Sequence, residues 1–474
     1  DAAQASTSSH VYIITNRVTS TLGWDTSALP DGDYVVELFA EDTRQNATSA
    51  FVEVSITQRD IVPPPPPTWT AVQSTAAGAH FTWQGVDADD LAGYRLLATS
   101  GTSLAEVAPE AVLTAQRVDY ASAISVDAPA YYVLRAVDNQ PVPNVSTDTD
   151  RYGTWRTPDK PRVLIVDGFD RSSASWKSSI HDFAALYGGM LAVSEYGFDT
   201  AANEAVVAGH VALSDYALVV WFLGDESTAD ETFSDDEQRL LRAYVASGGY
   251  LVASGSEIGW DLGAQGSASD QAFLREVLKL SYLGDDSGSL TVSGTSGSLF
   301  DGLRNVAYGS RPYVEDYPDY FAAQPDARVV LTYGNDRAAG VLFEGTIPGG
   351  TAPAKVLTVG FPLETISQAG FQNLLMNRVL THFFPPSTSS ASAPTAFALG
   401  QPYPNPARDW VRIPVLGVPR GAGGAVEWEV VNLLGRTVRS GTLSSQDLIL
   451  DLNDLAAGVY FFRAGATVRR MVKQ

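Results

Sequence analysis

The sequence predicts a multidomain protein in which β-sandwich modules flank one α/β domain with a mostly parallel sheet. Its 474 residues are enough for about three domains. Two segments divide the chain: consecutive prolines at 63–67 and a Ser/Pro-rich run at 385–394. Between these dividers, short β-branched runs with turn signals give way to longer apolar runs that alternate with helical patterns.

Composition excludes several classes of function. The chain has no cysteine, which excludes a disulfide framework, a thiolate metal site and a cysteine nucleophile. Its 54 acidic and 31 basic residues give a net charge of -23, which argues against nucleic acid or an anionic membrane as the partner. No apolar run reaches about 18 residues, so we expect no membrane span. The polar start at 1–9 is typical of a mature or trimmed product and equally of an artificially chosen start.

Residues 1–60 carry β signals but too few strands for a complete sandwich. Apolar runs cover 10–15, 33–40 and 47–56, and a turn signal lies at 30–33. We count about four strands, whereas an immunoglobulin-like sandwich needs about seven. The segment is therefore expected to be a small Ig-like β domain or the remnant of a larger one, and the second alternative favours a fragment of a longer precursor.

A proline spacer at 61–67 precedes a second β segment at 68–157. Trp83 lies in the expected second strand, 90–96 forms the third, and 131–138, with Tyr131 and Tyr132, forms the sixth. This pattern resembles a fibronectin type III module. The resemblance implies that Trp83 and one of the two tyrosines fill the core between two sheets.

Residues 160–384 change character, because continuous apolar runs are typical of strands covered by helices on both faces. The expected strands are 163–168, 217–224, 250–253, 329–331, 339–343 and 356–360, and the expected helices are 178–187, 234–246, 270–280 and 371–383. Ser234 and Glu237 predict a capping box at the start of the second helix. The alternation implies a largely parallel sheet with helices on both faces.

After the linker at 385–394, residues 395–474 form an expected small β domain that is mildly basic. Four motifs follow one another in it: Tyr403-Pro404-Asn405-Pro406, the turn at Gly435 within 430–438, the hairpin 452–462 with Gly458 and Tyr460, and a basic end at 469–473. We expect the prolines to fix the backbone and the two glycines to allow positive φ in tight turns.

Together these motifs resemble a type IX secretion C-terminal sorting domain, type A. The alternative is another sandwich module with turns at the two glycines. The resemblance implies export by the type IX secretion machinery to the extracellular side, on the outer cell surface of a Gram-negative bacterium. In that family the domain is an address read by a receptor, and it is often removed when the protein is attached.

The segment 160–384 resembles the flavodoxin-like fold of class I glutamine amidotransferases. Within it, 221–228, 254–261 and 360–365 resemble a group of secreted bacterial proteins labelled xanthan lyase or amidase. The resemblance implies a cysteine nucleophile after 250–253, but Ser256 stands at that turn and Gly255 precedes it directly, unlike G-x-S-x-G. The carboxylate Glu364 remains, yet no histidine is placed by motif as a base. Glutamine amidotransfer is therefore not expected.

A set of carboxylates is expected at the carboxyl ends of the strands, where open α/β sheets bind ligands. Its members are Asp167, Asp225, Glu226, Glu257 and Glu364. Two carboxylates can serve as acid and base on a glycan, or they can hold a cation. Equally, carboxylates cap helices and bind loop amides. Trp260 is expected beside such a pocket, with Tyr313, Tyr317 and Tyr320.

The favoured function is that of a secreted, non-catalytic cell-surface region for adhesion, assembly or accessory glycan binding. Its expected partners are the secretion machinery and either a surface glycan or a second copy of the chain, without cofactor or metal. The rival is a secreted hydrolase or lyase acting on polysaccharide or peptidoglycan through Ser256, Glu257 and Glu364. That rival requires the three side chains to converge within about 4 Å in an open cleft.

Overall fold

A computed structural model describes most of the chain. The described residues are 26, 29–57, 60–100, 103–171, 182–385, 398–416, 426–433, 435–443, 447–464 and 467–474. The predicted strand at 10–15, the start of the predicted helix at 178–187 and nearly all of the predicted linker lie outside them. In the described part, every helix is too short or too polar to cross a membrane.

The N-terminal segment contributes an antiparallel hairpin of β1 (Gly32–Glu41) and β2 (Ala47–Ile56), with Val36 opposite Val52. These are two of the roughly four strands predicted for 1–60. Apolar side chains on the hairpin remain largely exposed, Val35 and Phe51 among them. The described part of this segment therefore has no packed core, and its Ig-like character stays a prediction.

The second segment is a sandwich of two antiparallel sheets, ordered β3-β4-β7 and β6-β5-β8-β9. Its strands are β3 (Thr68–Thr75), β4 (Gly78–Gln84), β5 (Leu91–Ser100), β6 (Ser103–Ala108), β7 (Asp119–Ser122), β8 (Ala130–Asp138) and β9 (Tyr152–Thr154). Seven strands in this arrangement form a fibronectin type III-like sandwich.

Aromatic side chains fill the core of this sandwich. Trp83 and Tyr132 are buried, which confirms the predicted core pair. The Trp83 ring meets Tyr94 edge-on at 5.4 Å, and Phe81 meets Tyr132 edge-on at 4.8 Å. Such geometry lets the positive ring edge face the negative ring face.

The third segment is an α/β unit. Its elements are β10 (Val163–Asp167), α1 (Ala184–Val193), β11 (Phe198–Ala202), α2 (Asn203–Val207), β12 (Leu218–Gly224), α3 (Asp235–Ala246), β13 (Tyr250–Gly255), α4 (Ala268–Glu276), β14 (Leu280–Gly284), β15 (Thr291–Gly294), β16 (Val306–Ala307), β17 (Tyr320–Ala323), β18 (Ala327–Tyr333), β19 (Ala338–Gly345), β20 (Ala354–Val359) and α5 (Ala369–Phe383).

Five of these strands are parallel neighbours, in the order β20-β13-β12-β10-β11. Beyond β20 the sheet continues with the antiparallel strands β19, β18, β15 and β16, and β17 pairs with β19 and β14. The sheet is therefore mixed, and its antiparallel part is larger than the sequence predicted. The reason is that β14 to β17 are short and lack the apolar runs that mark a buried strand.

Helices cover both faces of the parallel strands. Val163 and Ile165 of β10 share a core with Tyr187 of α1 and Leu375 of α5. Leu164 and Val166, which point the other way, pack with α3 and α4. Because alternate residues of a strand face opposite sides, coverage of both faces explains the continuous apolar runs.

Two helices end at residues other than the predicted ones. Helix α1 continues past Tyr187 to Val193, and its Gly188 lies against the Phe198 ring, where a Cβ atom would come within 2.7 Å. Helix α4 ends at Glu276 instead of Leu280, since Lys279 has a φ of 64° that a right-handed helix cannot adopt. The capping box of Ser234 and Glu237 on α3 is confirmed.

The sandwich and the α/β unit share one sheet, because β3 pairs antiparallel with β11. Asp199 of β11 secures this junction. Its carboxylate accepts hydrogen bonds from Ser74 N and Thr154 Oγ1 of the sandwich, both at 2.6 Å. On the α/β side it accepts from Arg162 Nη2 at 2.8 Å and from Tyr216 OH at 3.0 Å.

The C-terminal segment is a separate sandwich with sheets β21-β22-β25 and β24-β23-β26-β27. Its strands are β21 (Ala398–Leu399), β22 (Trp410–Leu416), β23 (Val426–Asn432), β24 (Thr437–Leu443), β25 (Asp447–Asp451), β26 (Gly458–Ala464) and β27 (Thr467–Lys473). Its core contains Val411, Ile413, Leu450 and Phe462, all from this segment.

Candidate functional site

The carboxyl ends of the parallel strands bring the predicted carboxylates to one edge of the sheet. Asp167 ends β10, Asp225 and Glu226 follow β12, and Glu257 follows β13. Glu364 lies in a short 3-10 turn after β20. Parallel strands end at the same edge, so this placement follows from the topology.

Ser256 is fully buried, with 0% of its surface exposed. Its hydroxyl lies 3.1 Å from both the Gly224 carbonyl oxygen and Asp225 Oδ1, and it donates its one hydrogen between them. Gly224 has a φ of 52°, and a Cβ atom there would come within 2.3 Å of the Phe169 ring. This tight turn therefore requires glycine and aims the carbonyl at Ser256.

The histidines that the structure describes are all occupied elsewhere or exposed. His80 lies 3.7 Å from Asp119, and His382 lies 2.9 Å from Glu344. His210 is exposed in a loop. In the described residues Ser256 therefore has a carboxylate neighbour but no imidazole base, while His10 and His181 lie outside them.

Glu364 is buried, and its carboxylate lies between the hydroxyl groups of two tyrosines. Tyr187 OH donates to Oε2 at 2.5 Å, and Tyr313 OH donates to Oε1 at 2.8 Å. Burial raises the pKa of the Glu364 carboxyl, and the two phenol donors oppose that shift. Both oxygens are thus held by phenols on neighbouring elements.

Glu257 takes a third position, half-buried, and accepts a hydrogen bond from Ser227 Oγ. Burial also raises the pKa of its carboxyl. Within the described part of the chain, no hydrogen bond joins any two of Ser256, Glu257 and Glu364. Each member of the predicted catalytic trio has its own, different partner.

Asp167 and Glu226 are both buried. Asp167 accepts hydrogen bonds from Tyr152 OH at 3.1 Å and Phe169 N at 3.3 Å, and burial raises its pKa well above the usual value. Glu226 Oε1 accepts from the Arg171 backbone N–H, while Oε2 has no partner among the described residues. Burial raises the pKa of Glu226 to about 8.

Two further carboxylates, Glu315 and Asp319, reach this edge from the loop before β17, and sequence reasoning missed them. Asp319 Oδ2 accepts from Gly259 N at 2.6 Å and Trp260 N at 2.7 Å. Burial raises the pKa of Asp319 to about 8. Burial and then the Asp225 carboxylate raise the pKa of Glu315. The only sequence signal was the acidic, aromatic run at 313–320.

Trp260 lies beside these carboxylates and starts the π-helical turn Trp260–Gln265. Its ring is half-buried and packs against Tyr282, with ring centroids 6.2 Å apart. Arg171 brings a cation to the edge: its Nη1 donates to the Asp225 carbonyl oxygen at 2.8 Å and lies 3.6 Å from Asp225 Oδ2. Carboxyls therefore outnumber cations at the edge, and burial raises the pKa of two of them, Glu226 and Asp319, to about 8.

A closer group of acidic ligands lies elsewhere. In the described residues, three carboxylate oxygens come within 4.8 Å of one another at Asp60, Asp90 and Asp138 in and before the sandwich. Asp138 already accepts hydrogen bonds from Asn144 N and Asn144 Nδ2, at 2.8 and 2.6 Å. The strand-end carboxylates form no comparable group in the part that the structure describes.

In the predicted sorting motif, the side-chain amide of Asn405 forms two hydrogen bonds with the backbone of β27. Asn405 Nδ2 donates to the Arg470 carbonyl at 2.9 Å, and its Oδ1 accepts from Val472 N at 2.9 Å. Pro404 and Pro406 lie on either side of it. Tyr403 pairs with Arg412 of β22 through two backbone hydrogen bonds.

The two glycines of the motif differ. Gly435 has a φ of 74° in the turn between β23 and β24, as expected. Gly458 was expected to need positive φ as well, and this is wrong: it is the first residue of β26 and pairs with Lys473. The motif tyrosine, Tyr460, is buried and donates to the Ala456 carbonyl at 2.8 Å.

Comparisons with solved structures find weak likenesses. A Fn3-like protein from Clostridium thermocellum is 17% identical over 21% of this chain and 100% of its own, with a TM-score of 0.17. Pectate lyase PelI from Erwinia chrysanthemi is 16% identical over 21% of this chain and 34% of its own, with a TM-score of 0.15. The FN1–FN3 domains of chicken CNTN1 are 8% identical over 87% and 100%, with a TM-score of 0.16.

Among curated proteins, none matches the chain. The family of secretion system C-terminal sorting domains matches residues 401–474. That range begins just before Tyr403 and contains the Asn405 hydrogen bonds, the Gly435 turn and the basic end. Residues 401–474 are therefore a type IX secretion C-terminal sorting domain, and the chain that carries it is a secreted, cell-surface protein.

Proposed function

We propose that this secreted cell-surface protein has a non-catalytic role in adhesion, assembly or accessory glycan binding. The observation that carries the proposal is the state of Ser256, which is fully buried and shares its hydroxyl between Asp225 and Gly224. A serine nucleophile needs access to substrate and a general base within hydrogen-bond reach. Burial denies Ser256 access to substrate, and the group within its hydrogen-bond reach is the Asp225 carboxylate and not an imidazole, which together count against catalysis at this serine.

The α/β unit, in this proposal, is a degenerate amidotransferase-like domain of flavodoxin-like fold. The order of its parallel strands supports this, because numbering β10, β11, β12, β13 and β20 from one to five gives 2-1-3-4-5. Ser256 follows β13, at the turn where the resemblance implies a cysteine. The loss of that nucleophile fits a domain retained for binding or scaffolding.

The sorting domain, in the same proposal, hands the chain to the type IX machinery for display outside a Gram-negative outer membrane. Deleting 401–474 in a host with that machinery is expected to leave the protein inside the outer membrane, while the full chain becomes accessible to protease added to intact cells. Equal surface accessibility of both forms would contradict this address. Immunoblots of fractionated cells measure it.

The rival function, a hydrolase or lyase, is favoured by one observation. Burial raises the pKa of Glu226 and Asp319 to about 8, and carboxyls poised near neutral pH are typical of acid–base catalysts. The same shifts also follow from burial alone. Activity assays therefore decide between the two functions.

The deciding assay incubates the intact protein with soluble polysaccharides and peptidoglycan and follows new reducing ends and unsaturated products. We expect binding without turnover, and no difference between Ser256→Ala and the matched control Ser269→Ala, which changes an exposed serine. Turnover that Ser256→Ala or Glu364→Gln abolishes, while Ser269→Ala keeps it, would establish the enzyme instead.

A further inference from the structure

A groove of about 170 Å³ lies where the sandwich meets the α/β unit. Val163 and Phe198, the first residues of β10 and β11, form part of its wall. The groove is therefore at the opposite end of the strands from the carboxylates described above. Its remaining lining comes mainly from the segment that connects the two units, 155–162.

Three cations line this groove in a chain whose net charge is -23: Arg156, Lys160 and Arg162. Asp199 is the acidic residue of the lining, and it is ion-paired with Arg162 at 2.8 Å. Lys160 lies 3.9 Å from Glu195, which is outside the lining, so Arg156 is the cation whose charge is in excess. The groove is thus a local basic site on an acidic protein.

Arg156 is exposed, and its guanidinium has no hydrogen-bond or ion-pair partner in the part of the chain that the structure describes. Lys160 Nζ donates to the Ser194 carbonyl at 3.2 Å, lies 3.9 Å from Glu195 and sits 4.5 Å from the centroid of the Tyr196 ring. Burial lowers the pKa of Lys160, so an anion beside it would stabilise the charged form.

The groove is also preformed. Trp155 and Phe198 exchange two backbone hydrogen bonds of 2.8 Å, which pin the connecting segment to the start of β11. Gly197 N donates to Thr157 Oγ1 at 2.9 Å and fixes the next residues. A rigid site loses little conformational entropy when a ligand binds.

We propose that this groove binds a carboxylate-bearing sugar, a uronate, whose carboxylate pairs with Arg156 and Lys160. A planar guanidinium matches a carboxylate in two parallel hydrogen bonds. The half-buried indole of Trp155 supplies an apolar wall for a sugar ring, which a bare anion would not use. The proposal rests on the non-catalytic function only in that the sugar is held and not cleaved.

The test titrates the full chain at low salt with three probes: methyl β-D-glucuronoside, methyl β-D-glucoside and inorganic phosphate. We expect calorimetry to show binding of the glucuronoside alone. Arg156→Ala is expected to weaken that binding about tenfold, since it removes a charge-assisted hydrogen bond. The matched control Arg275→Ala, an exposed arginine of α4 outside the groove, should leave the affinity unchanged.

Three outcomes would overturn the proposal: glucoside that binds as well as glucuronoside, phosphate that binds as tightly, or equal affinities of the two arginine variants. Melting temperatures of both variants show whether the fold is intact. The polysaccharide-turnover assay does not involve Arg156. A failure to bind the glucuronoside therefore does not contradict the non-catalytic function. Turnover in the polysaccharide assay, in turn, does not contradict sugar binding in this groove.

Discussion

Glu226, Glu315 and Asp319 each keep one buried carboxylate oxygen without a hydrogen-bond partner among the described residues. A charged carboxylate in that position would lose its hydration without replacement, whereas a protonated carboxyl loses much less. Burial accordingly raises the pKa of all three. The formal charge of -23 counts them as ionised, so the folded protein carries less negative charge near neutral pH.

Replacement of Glu226 by glutamine tests whether the raised pKa of a buried carboxyl makes the stability of the protein depend on pH. Its folded pKa, about 8, lies above the ordinary value of 4.5, so the folded state binds more protons between these two pH values. Stability of the wild type therefore falls as pH rises through that window. Glu226→Gln is expected to raise the free energy of unfolding by up to about 5 kcal/mol above pH 8 and to change it little near pH 5.

Urea unfolding at both pH values measures this difference. The control is Glu195→Gln, which alters a glutamate whose side chain is 77% exposed. A Glu226→Gln effect of the same size at both pH values would mean that packing, not protonation, determines it.

Sequence reasoning located the strand-end carboxylates because each follows a long apolar run or, for Glu364, a short motif. It could not find Glu315 or Asp319, which lie in an irregular loop with no periodic pattern. It also could not see that Ser256 would be buried by the Gly224 turn. Tertiary contacts across distant parts of the chain decide both, and no local pattern records them.

At the level of elements, β11 shows how the sandwich and the α/β unit depend on each other. Its sequence, Phe198–Ala202, has no run of large apolar residues, so it was not predicted as a strand. It is nevertheless fully buried, because β3 of the sandwich pairs along its outer edge. The strand is completed by a neighbour that lies far away in sequence.

Asp199 is the residue on which this junction depends most. Asn at this position would turn one oxygen into a donor that faces other donors and would leave Arg162 without its charge partner. Asp199→Asn is expected to destabilise the protein by about 3 kcal/mol, as measured by urea unfolding. The matched control Asp215→Asn, at an exposed site, should be near neutral. Similar values for the two variants would show that the four hydrogen bonds contribute little.

The start of α3 offers a smaller, local test. Ser234 accepts a hydrogen bond from Glu237 N, and the Glu237 carboxylate accepts from Ser234 N at 2.7 Å. Ser234→Ala removes one half of this capping box and is expected to cost about 1 kcal/mol of unfolding free energy. Ser269→Ala, an exposed serine inside α4, is the comparison and should cost less than half as much. Equal losses would argue against a capping role.

At the scale of the whole molecule, a domain boundary predicted from the sequence does not coincide with a boundary between separate cores. The sequence separates 68–157 from 160–384 because the strand patterns change there. The structure nevertheless joins Trp83 and Tyr132 of the sandwich to Tyr187 and Leu375 of the α/β unit in one core. The sorting domain has a separate core of its own. The two central segments are thus one packed body.

This arrangement predicts how the intact protein melts. Units that share a core and a sheet unfold together, while a unit with its own core can unfold alone. Calorimetry of the full chain is therefore expected to show one transition for the sandwich with the α/β unit and another for the sorting domain. Ile413→Ala, in the sorting core, should cost about 2–5 kcal/mol and lower only the second transition. Asp199→Asn should lower only the first. If Asp199→Asn split the first transition in two, the shared sheet would be too weak to couple its halves, and the residues at 155–162 would act as a linker instead of a rigid seam.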